Sequence, residues 1–157
     1  MEKHNIPTDS GVYKGILRAY LNNNELERAL ELLKTIAKSK RYVFTTEWYS
    51  PFIRFLLRNG DLNTIEYIQK DIEDNNIPLE ITYCNALASV YVSTSNSTLN
   101  IKELLKKMKD KGIEPNDITK KTIQEHGMSH ILEEYYTENK NINSDNLASK
   151  ILNNFLN

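Results

Sequence analysis

The sequence predicts an all-α protein made of stacked helical hairpins, that is, an α/α repeat solenoid. Similar segments begin at Tyr13, Tyr49 and Cys84, at intervals of 36 (13 to 49) and 35 (49 to 84) residues. Within the segments, apolar residues recur with the 3.6-residue period of an amphipathic helix. Because one hairpin of this length cannot bury its apolar side alone, neighbouring hairpins must stack and so form an extended binding surface.

The composition limits the classes of protein that the chain can belong to. Its 157 residues carry a net charge of −1, and 39% are hydrophobic, which is enough for a buried core. A near-neutral net charge argues against a protein that binds nucleic acid non-specifically, since such proteins display strongly basic faces. The single cysteine, Cys84, excludes an internal disulfide framework. No apolar stretch approaches the roughly 20 residues of a membrane span, so we expect no membrane insertion.

The first hairpin is predicted over residues 10–45. Asp9 or Ser10 is placed to cap its first helix. A run of three asparagines that ends at Asn24 then makes a tight turn. Asn24 followed three positions later by Glu27 resembles a capping box, which predicts the start of the second helix there.

The later segments follow the same plan. The second hairpin spans 46–80 and turns at Asn59-Gly60-Asp61, and the third spans 81–116. Six regions are expected in all: residues 1–9 as the end of a preceding repeat or an N-terminal tail, 10–45, 46–80 and 81–116 as three repeats, 117–127 as a half repeat, and 128–157 as C-terminal capping helices. Ser144 is a candidate cap for the last of these helices. The tail-like start suggests an array that was once longer.

Residues 82–91 and 103–116, which end in Gly112-Ile113-Glu114-Pro115-Asn116, resemble a pentatricopeptide repeat. The resemblance runs from Ile6 to about Gln124 and implies a right-handed superhelix of hairpins. The tetratricopeptide repeat has a similar length, but it would need a small residue one turn into its first helix and lacks this exit sequence. Generic α/α hairpins remain the alternative.

The resemblance also implies a mode of binding. In that family each repeat reads one base of single-stranded RNA, with the fifth residue of the first helix and the last residue of the unit, while the second residue sandwiches the base. In the third repeat these positions hold Asn85, Asn116 and Thr82, a combination that resembles a pyrimidine reader.

The first two repeats depart from the family pattern at the same positions. The second repeat has Ser50 and Glu80 as reading residues, with Glu47 where an apolar residue is expected. The first repeat has Lys14 and Phe44. An acid beside a bound base would repel the flanking phosphates, so base reading by these two units is not expected.

Positive charge accumulates on the first helix of several units. The basic residues concerned are Lys14, Arg18, Arg54, Arg58, Lys120 and Lys121. They are either ordinary solvated charges or, taken together, a track for an RNA backbone, with Arg58 where the family often places a phosphate-contacting cation. The track requires that acids gather elsewhere, on the second helices.

Residues that could support other chemistry do not converge. His126 and His130 would share a helix face at metal-ligand spacing, but Gly127 replaces the general-base glutamate of the zinc-protease motif. Cys84 lies at a core-facing position with no histidine near it in the sequence. The aromatic cluster of Trp48, Tyr49 and Phe52 could stack on bases, but such residues are more often part of the core between repeats, and we expect them there. We therefore expect no enzyme activity, no metal, no cofactor and no small-molecule substrate.

Two functions follow from these observations. The first is an RNA-binding module that, by family resemblance, acts in organellar RNA metabolism, translation or a ribosomal assembly. The second is a protein-interaction scaffold, a subunit of a larger complex that has lost base reading. The expected partners are single-stranded RNA, protein subunits of a larger assembly, or both. A mitochondrial location is implied by the resemblance alone, because the first nine residues have no transit-peptide character.

Overall fold

The computed structural model describes residues 9–156, and within them it contains eight α-helices and no strand. The all-α fold built from helical hairpins is therefore confirmed. The helices are α1 (Ser10–Asn22), α2 (Leu26–Ser39), α3 (Ser50–Arg58), α4 (Leu62–Asp74), α5 (Ile81–Tyr91), α6 (Ser97–Asp110), α7 (Asp117–Glu125) and α8 (Ser129–Phe155), with a 3₁₀ segment at Thr46–Tyr49. The chain divides into two compact units, the first ending at Leu87 and the second beginning at Ala88.

The backbone repeats the periodicity of the sequence. Lys40, Asn76 and Gly112 each have a positive φ, of 51°, 49° and 69°, at the exits of α2, α4 and α6. Their positions are 36 residues apart (40, 76 and 112). Asn24 and Gly60, also 36 residues apart (24 and 60), have φ values of 59° and 70° in the turns of the first two hairpins. Glycine and asparagine tolerate this left-handed conformation best, which explains their recurrence at these turns.

The buried residues follow the same interval. Fully buried residues occur at equivalent places in the four first helices: Leu17, Ile53, Ala88 and Ile123. The second helices repeat a buried set of their own: Ala29, Ile65 and Ile101. Burying one Leu or Ile side chain contributes about 1.5–3 kcal/mol, so each hairpin depends on these positions for its stability.

In the first unit, α1 packs against both α2 and α3, and α3 packs against α4. Thr46 joins the two ends of the second hairpin. Its backbone N–H donates to the carbonyl of Pro78 at 2.9 Å, and its side-chain oxygen accepts from the N–H of Glu80 at 2.8 Å. We call the first helix of each hairpin its leading helix. Because α1 and α3 contact each other, the leading helices of the first two hairpins are neighbours, as stacked hairpins require.

In the second unit, α6 and α7 both pack against α8. The expectation of several C-terminal helices is wrong, because α8 is one helix of 27 residues. Ser144 does not cap a new helix, since its hydroxyl donates back to the carbonyl of Lys140 at 3.0 Å. Ile131, Leu132 and Tyr135 are buried near the start of α8, so this first part covers its neighbours as a terminal element should.

Of two local expectations about helix caps, one is wrong and one is confirmed. Asn24 does not cap α2: it holds the left-handed turn, and Glu25 takes the N-cap position without a side-chain cap bond. Asp9 does cap α1, through a contact of 3.4 Å with the N–H of Gly11. Residues 1–8, on which the expected end of a preceding repeat depends, lie outside the described residues. No described helix is long and apolar enough to cross a bilayer.

Candidate nucleic-acid interface

The leading helices α1 and α3 carry four cations and no acid. Lys14 and Arg18 lie four positions apart on α1, and Arg54 and Arg58 four apart on α3, so each pair shares one helix face. Arg18 and Arg54 occupy equivalent places, 36 residues apart (18 and 54), on two helices that pack together. All three arginines are exposed. The structure thus gathers four of the predicted basic residues on two contacting helices.

Lys14 is held in place by its neighbours. Its ammonium group lies 2.8 Å from a carboxylate oxygen of Glu47 and 5.3 Å from the centre of the Trp48 ring, and its side chain is 25% exposed. The pairing neutralises Glu47, the acid that was expected to repel a phosphate. It also occupies Lys14, so the exposed positive charge on these helices belongs chiefly to the arginines.

The acidic residues are only partly separated from the cations of α1 and α3. Helix α4 carries four acids, Glu66, Asp71, Glu73 and Asp74, against one lysine. Helix α2, in contrast, has three cations against two acids, so the expectation that second helices collect acids holds for α4 and is wrong for α2. The two leading helices and α2 are therefore net positive, and α4 is net negative.

Aromatic side chains fill the junction between the first two hairpins. Trp48 lies 5.9 Å from Tyr42 and 6.4 Å from Phe44, measured between ring centres, and the Phe44 ring is parallel to it within 4°. Trp48 and Phe52 are buried, so their expected place in the core is confirmed, whereas Tyr49 is only half-buried. Phe44, a predicted reading position of the first repeat, packs its ring on this core.

Ser50, the reading position of the second repeat, points into the protein. The residue is 5% exposed, and its buried hydroxyl has no hydrogen-bond partner. The side chain lies at the start of α3 among core residues, where a base edge could not reach it. Its predicted role in RNA contact is therefore not supported by this geometry.

The third repeat places its two asparagines in structural positions. Asn85 is 4% exposed within α5, and Thr82 is half-buried on the same helix. Asn116 caps α7: its side-chain oxygen accepts from the backbone N–H and from the hydroxyl of Thr119, both at 3.1 Å. Base reading by Asn85 and Asn116 stays a prediction, and the burial of one and the capping bonds of the other argue against it.

Helix α7, in the second unit, carries the last two lysines of the predicted basic set. Lys121 is exposed and lies 3.7 Å from Glu125, one turn further along the helix. Lys120 lies 5.7 Å from the ring centre of Tyr136 on α8. A surface ion pair of this length contributes little energy, so Lys121 remains available to an anion.

The structure also shows basic residues that the sequence reading did not select. Lys40 and Arg41 are exposed in the segment between α2 and the 3₁₀ helix, directly before the aromatic residues Tyr42 and Phe44. Basic residues next to aromatic ones are a common signal of nucleic-acid contact. That signal was present in the sequence, but it fell in a linker and not on a leading helix.

The groups considered for other chemistry are separated or inert. His126 follows the end of α7 and His130 lies in α8, with Gly127 at φ 74° between them, so the shared helix face does not form. No cluster of three metal-ligand residues exists among residues 9–156. Burial raises the pKa of the Cys84 thiol to about 12. Burial, followed by the negative charge of Asp71 and a hydrogen bond to it, likewise raises the pKa of Tyr49 to about 12.

Repeated hairpins with an exposed basic surface define a helical-repeat binding protein. Residues 67–123 match the model of a family described as the pentatricopeptide repeat domain. The match confirms the resemblance over most of α4, all of α5 and α6, and most of α7. Among curated proteins, none matches this chain.

Proposed function

We propose that this protein binds single-stranded RNA through the leading helices α1 and α3 and contacts its phosphates more than its bases. The observation that carries the proposal is the set of exposed arginines, Arg18, Arg54 and Arg58, on two packed helices without an acid. The family resemblance supports RNA as the polyanion. The buried or bonded reading positions support contact with the backbone.

The proposal has a quantitative consequence. Binding that neutralises phosphates releases counterions, and for single strands the logarithm of affinity falls with the logarithm of salt concentration with a slope of about −0.7 per phosphate. Three arginines and a partly available Lys14 predict a slope of about −2 to −3. Lys121 on α7 would make this slope steeper only if the RNA also reaches the second unit.

The test is reversal of charge on α3. In a fluorescence-anisotropy titration with a labelled oligonucleotide, Arg54→Glu with Arg58→Glu should weaken binding by roughly 10- to 100-fold near 0.1 M salt. The slope should become shallower by about 1.4, because two phosphate contacts are lost. The matched control is Lys34→Glu with Lys70→Glu, which changes the net charge equally on α2 and α4. Equal losses from both pairs would overturn the proposal.

The wider role follows from the family and is also part of the proposal. The proposed role is in organellar RNA metabolism, translation or a ribosomal assembly, with a mitochondrial location, and only the family resemblance supports it. Crosslinking in the source cells followed by sequencing of the bound RNA would test the role, and imaging of the tagged full-length protein would test the location. Recovery of polypeptides without RNA would favour the alternative function of a protein scaffold.

A further inference from the structure

A groove of about 380 Å³ lies between α6 and α8, within the second unit. Its volume is in the range of sites that bind small molecules. The floor of the groove is apolar, because Leu105 and Ile131 line it and are each 1% exposed. The polar residues stand on its two walls, one formed by each helix, and the two walls differ in chemistry.

The wall formed by α6 is basic. Lys102, Lys106 and Lys109 line it, at spacings of four and three residues that place them on one helix face. Lys102 is occupied, because its ammonium group lies 2.7 Å from a carboxylate oxygen of Glu134 on α8. Lys106 and Lys109 are exposed and have no ion-pair partner among residues 9–156. Asp110, at the rim beside Lys109, is the acid that α6 contributes to the groove.

The wall formed by α8 offers hydrogen-bond acceptors. Glu138, one turn beyond Glu134, is exposed and also has no ion-pair partner within the described part of the chain. The amide of Asn139 is hydrogen-bonded to Tyr135, but its buried side-chain oxygen has no partner. A buried acceptor without a donor is unfavourable. This wall therefore favours a ligand that brings N–H groups.

A ligand that satisfies both walls carries an anionic group at one end and neighbouring N–H donors at the other. A guanine nucleotide has both features. Its phosphate suits the ammonium groups of Lys106 and Lys109. The N1–H and N2–H groups of guanine lie side by side, so they can donate to the two oxygens of a carboxylate such as that of Glu138. Adenine would instead turn the lone pair of its N1 toward that carboxylate, which is unfavourable.

We propose that the groove between α6 and α8 binds a guanine nucleotide, with the phosphate on Lys106 and Lys109 and the base edge on Glu138. The flat base then lies on the apolar floor of the groove. This site goes beyond the RNA surface of α1 and α3, because it belongs to the other unit and selects a base. Free GMP and a guanosine residue in an RNA strand both offer this chemistry.

NMR titrations of the full chain with GMP, IMP and AMP test the proposal. Because the lysines and Glu138 are exposed to water, the Kd for GMP should be on the order of 1 mM. AMP should bind about fivefold more weakly, or worse, since the paired N–H groups are missing. IMP keeps N1–H and lacks the amino group at C2, so its affinity should lie between the two.

Two variants separate the two walls. Lys106→Glu with Lys109→Glu should weaken binding of GMP and AMP alike, by about tenfold or more, since both ligands carry a phosphate. Glu138→Gln should weaken binding of GMP and leave that of AMP nearly unchanged.

The matched controls replace exposed residues that lie near the groove and do not line it. They are Lys111→Glu with Lys140→Glu for the lysine pair, and Glu133→Gln for Glu138. These controls should bind GMP like the unmodified chain. Every substituted side chain is exposed, so the fold should survive, as circular dichroism would show.

Equal affinities for GMP and AMP, equal losses in the groove variants and their controls, or no saturable binding at about 10 mM GMP would each overturn the proposal. The trinucleotide ApGpA distinguishes the two sources of the ligand. Weaker binding than that of GMP supports a free nucleotide in the groove, and equal or tighter binding supports a guanosine of RNA.

The two proposed sites can fail independently. Arg54→Glu with Arg58→Glu, which should weaken RNA binding by α1 and α3, should leave the affinity for GMP unchanged. If this variant lost GMP binding, the nucleotide would bind at the arginines of α3, and the proposed groove site would be wrong.

Discussion

The first two hairpins differ from the third predicted repeat in the polar residues that they carry. One region has the positive charge, and the other has the amides expected to read a base. Helices α1 and α3 carry four cations and no acid, whereas α5 carries no charged residue at all. The third repeat instead has the amides expected to read a base, and one of these is buried while the other caps a helix. The two regions therefore separate positive charge from the residues of reading type, and the fold itself uses the latter for burial and for capping.

The largest expected effect in the third repeat comes from Asn85→Ala. Because the residue is buried, the change should lower the free energy of unfolding by about 1–3 kcal/mol, measured by urea denaturation. The relative affinity for oligonucleotides of different base should not change. Thr82→Ala, at a half-buried place on the same helix, serves as the control and should cost less. If Asn85→Ala abolished a preference for pyrimidines and left the stability unchanged, Asn85 would be a reading residue and not a structural one.

Asn116→Ala should have the next largest effect. It removes the acceptor for the N–H and hydroxyl of Thr119, and loss of an N-cap costs about 1 kcal/mol. Asn116→Asp keeps the acceptor and should retain most of the stability in the same urea experiment. If the aspartate variant changed base preference strongly while remaining stable, Asn116 would be a reading residue after all.

Ser50→Ala should have the smallest effect, of opposite sign. The hydroxyl is buried without a partner, so its removal should stabilise the protein by up to about 1 kcal/mol. RNA affinity should stay the same, since the group lies inside the protein. Ser97→Ala, at a half-buried serine in the first turn of α6, is the control and should not be stabilised in this way. A several-fold loss of RNA affinity in Ser50→Ala would show that the leading helix reads bases.

The fold was predictable because it depends on periodicity. Leu17 and Ile53 are buried one repeat apart, and Gly60 and Gly112 take the positive φ values that their turns need. The length of α8 was not predictable, because Ser144 is equally compatible with a helix cap and with a helix interior, where its hydroxyl bonds to the preceding turn.

The site was predictable only where exposure follows from sequence. Arg18 and Arg54 are exposed because long charged side chains are rarely buried without a partner. Asn85 and Ser50 are small polar residues that a core can accept, so their position in a repeat did not reveal their burial. The pairing of Lys14 with Glu47 joins two repeats and could not be read from either alone.

The most direct test of backbone recognition compares oligonucleotides of uridine, cytidine, adenosine and guanosine at several salt concentrations. We expect affinities within a few-fold of one another and a common slope of about −2 to −3. A preference for one base of 30-fold or more, removed by Asn85→Ala or Asn116→Ala, would contradict binding through the arginines of α1 and α3.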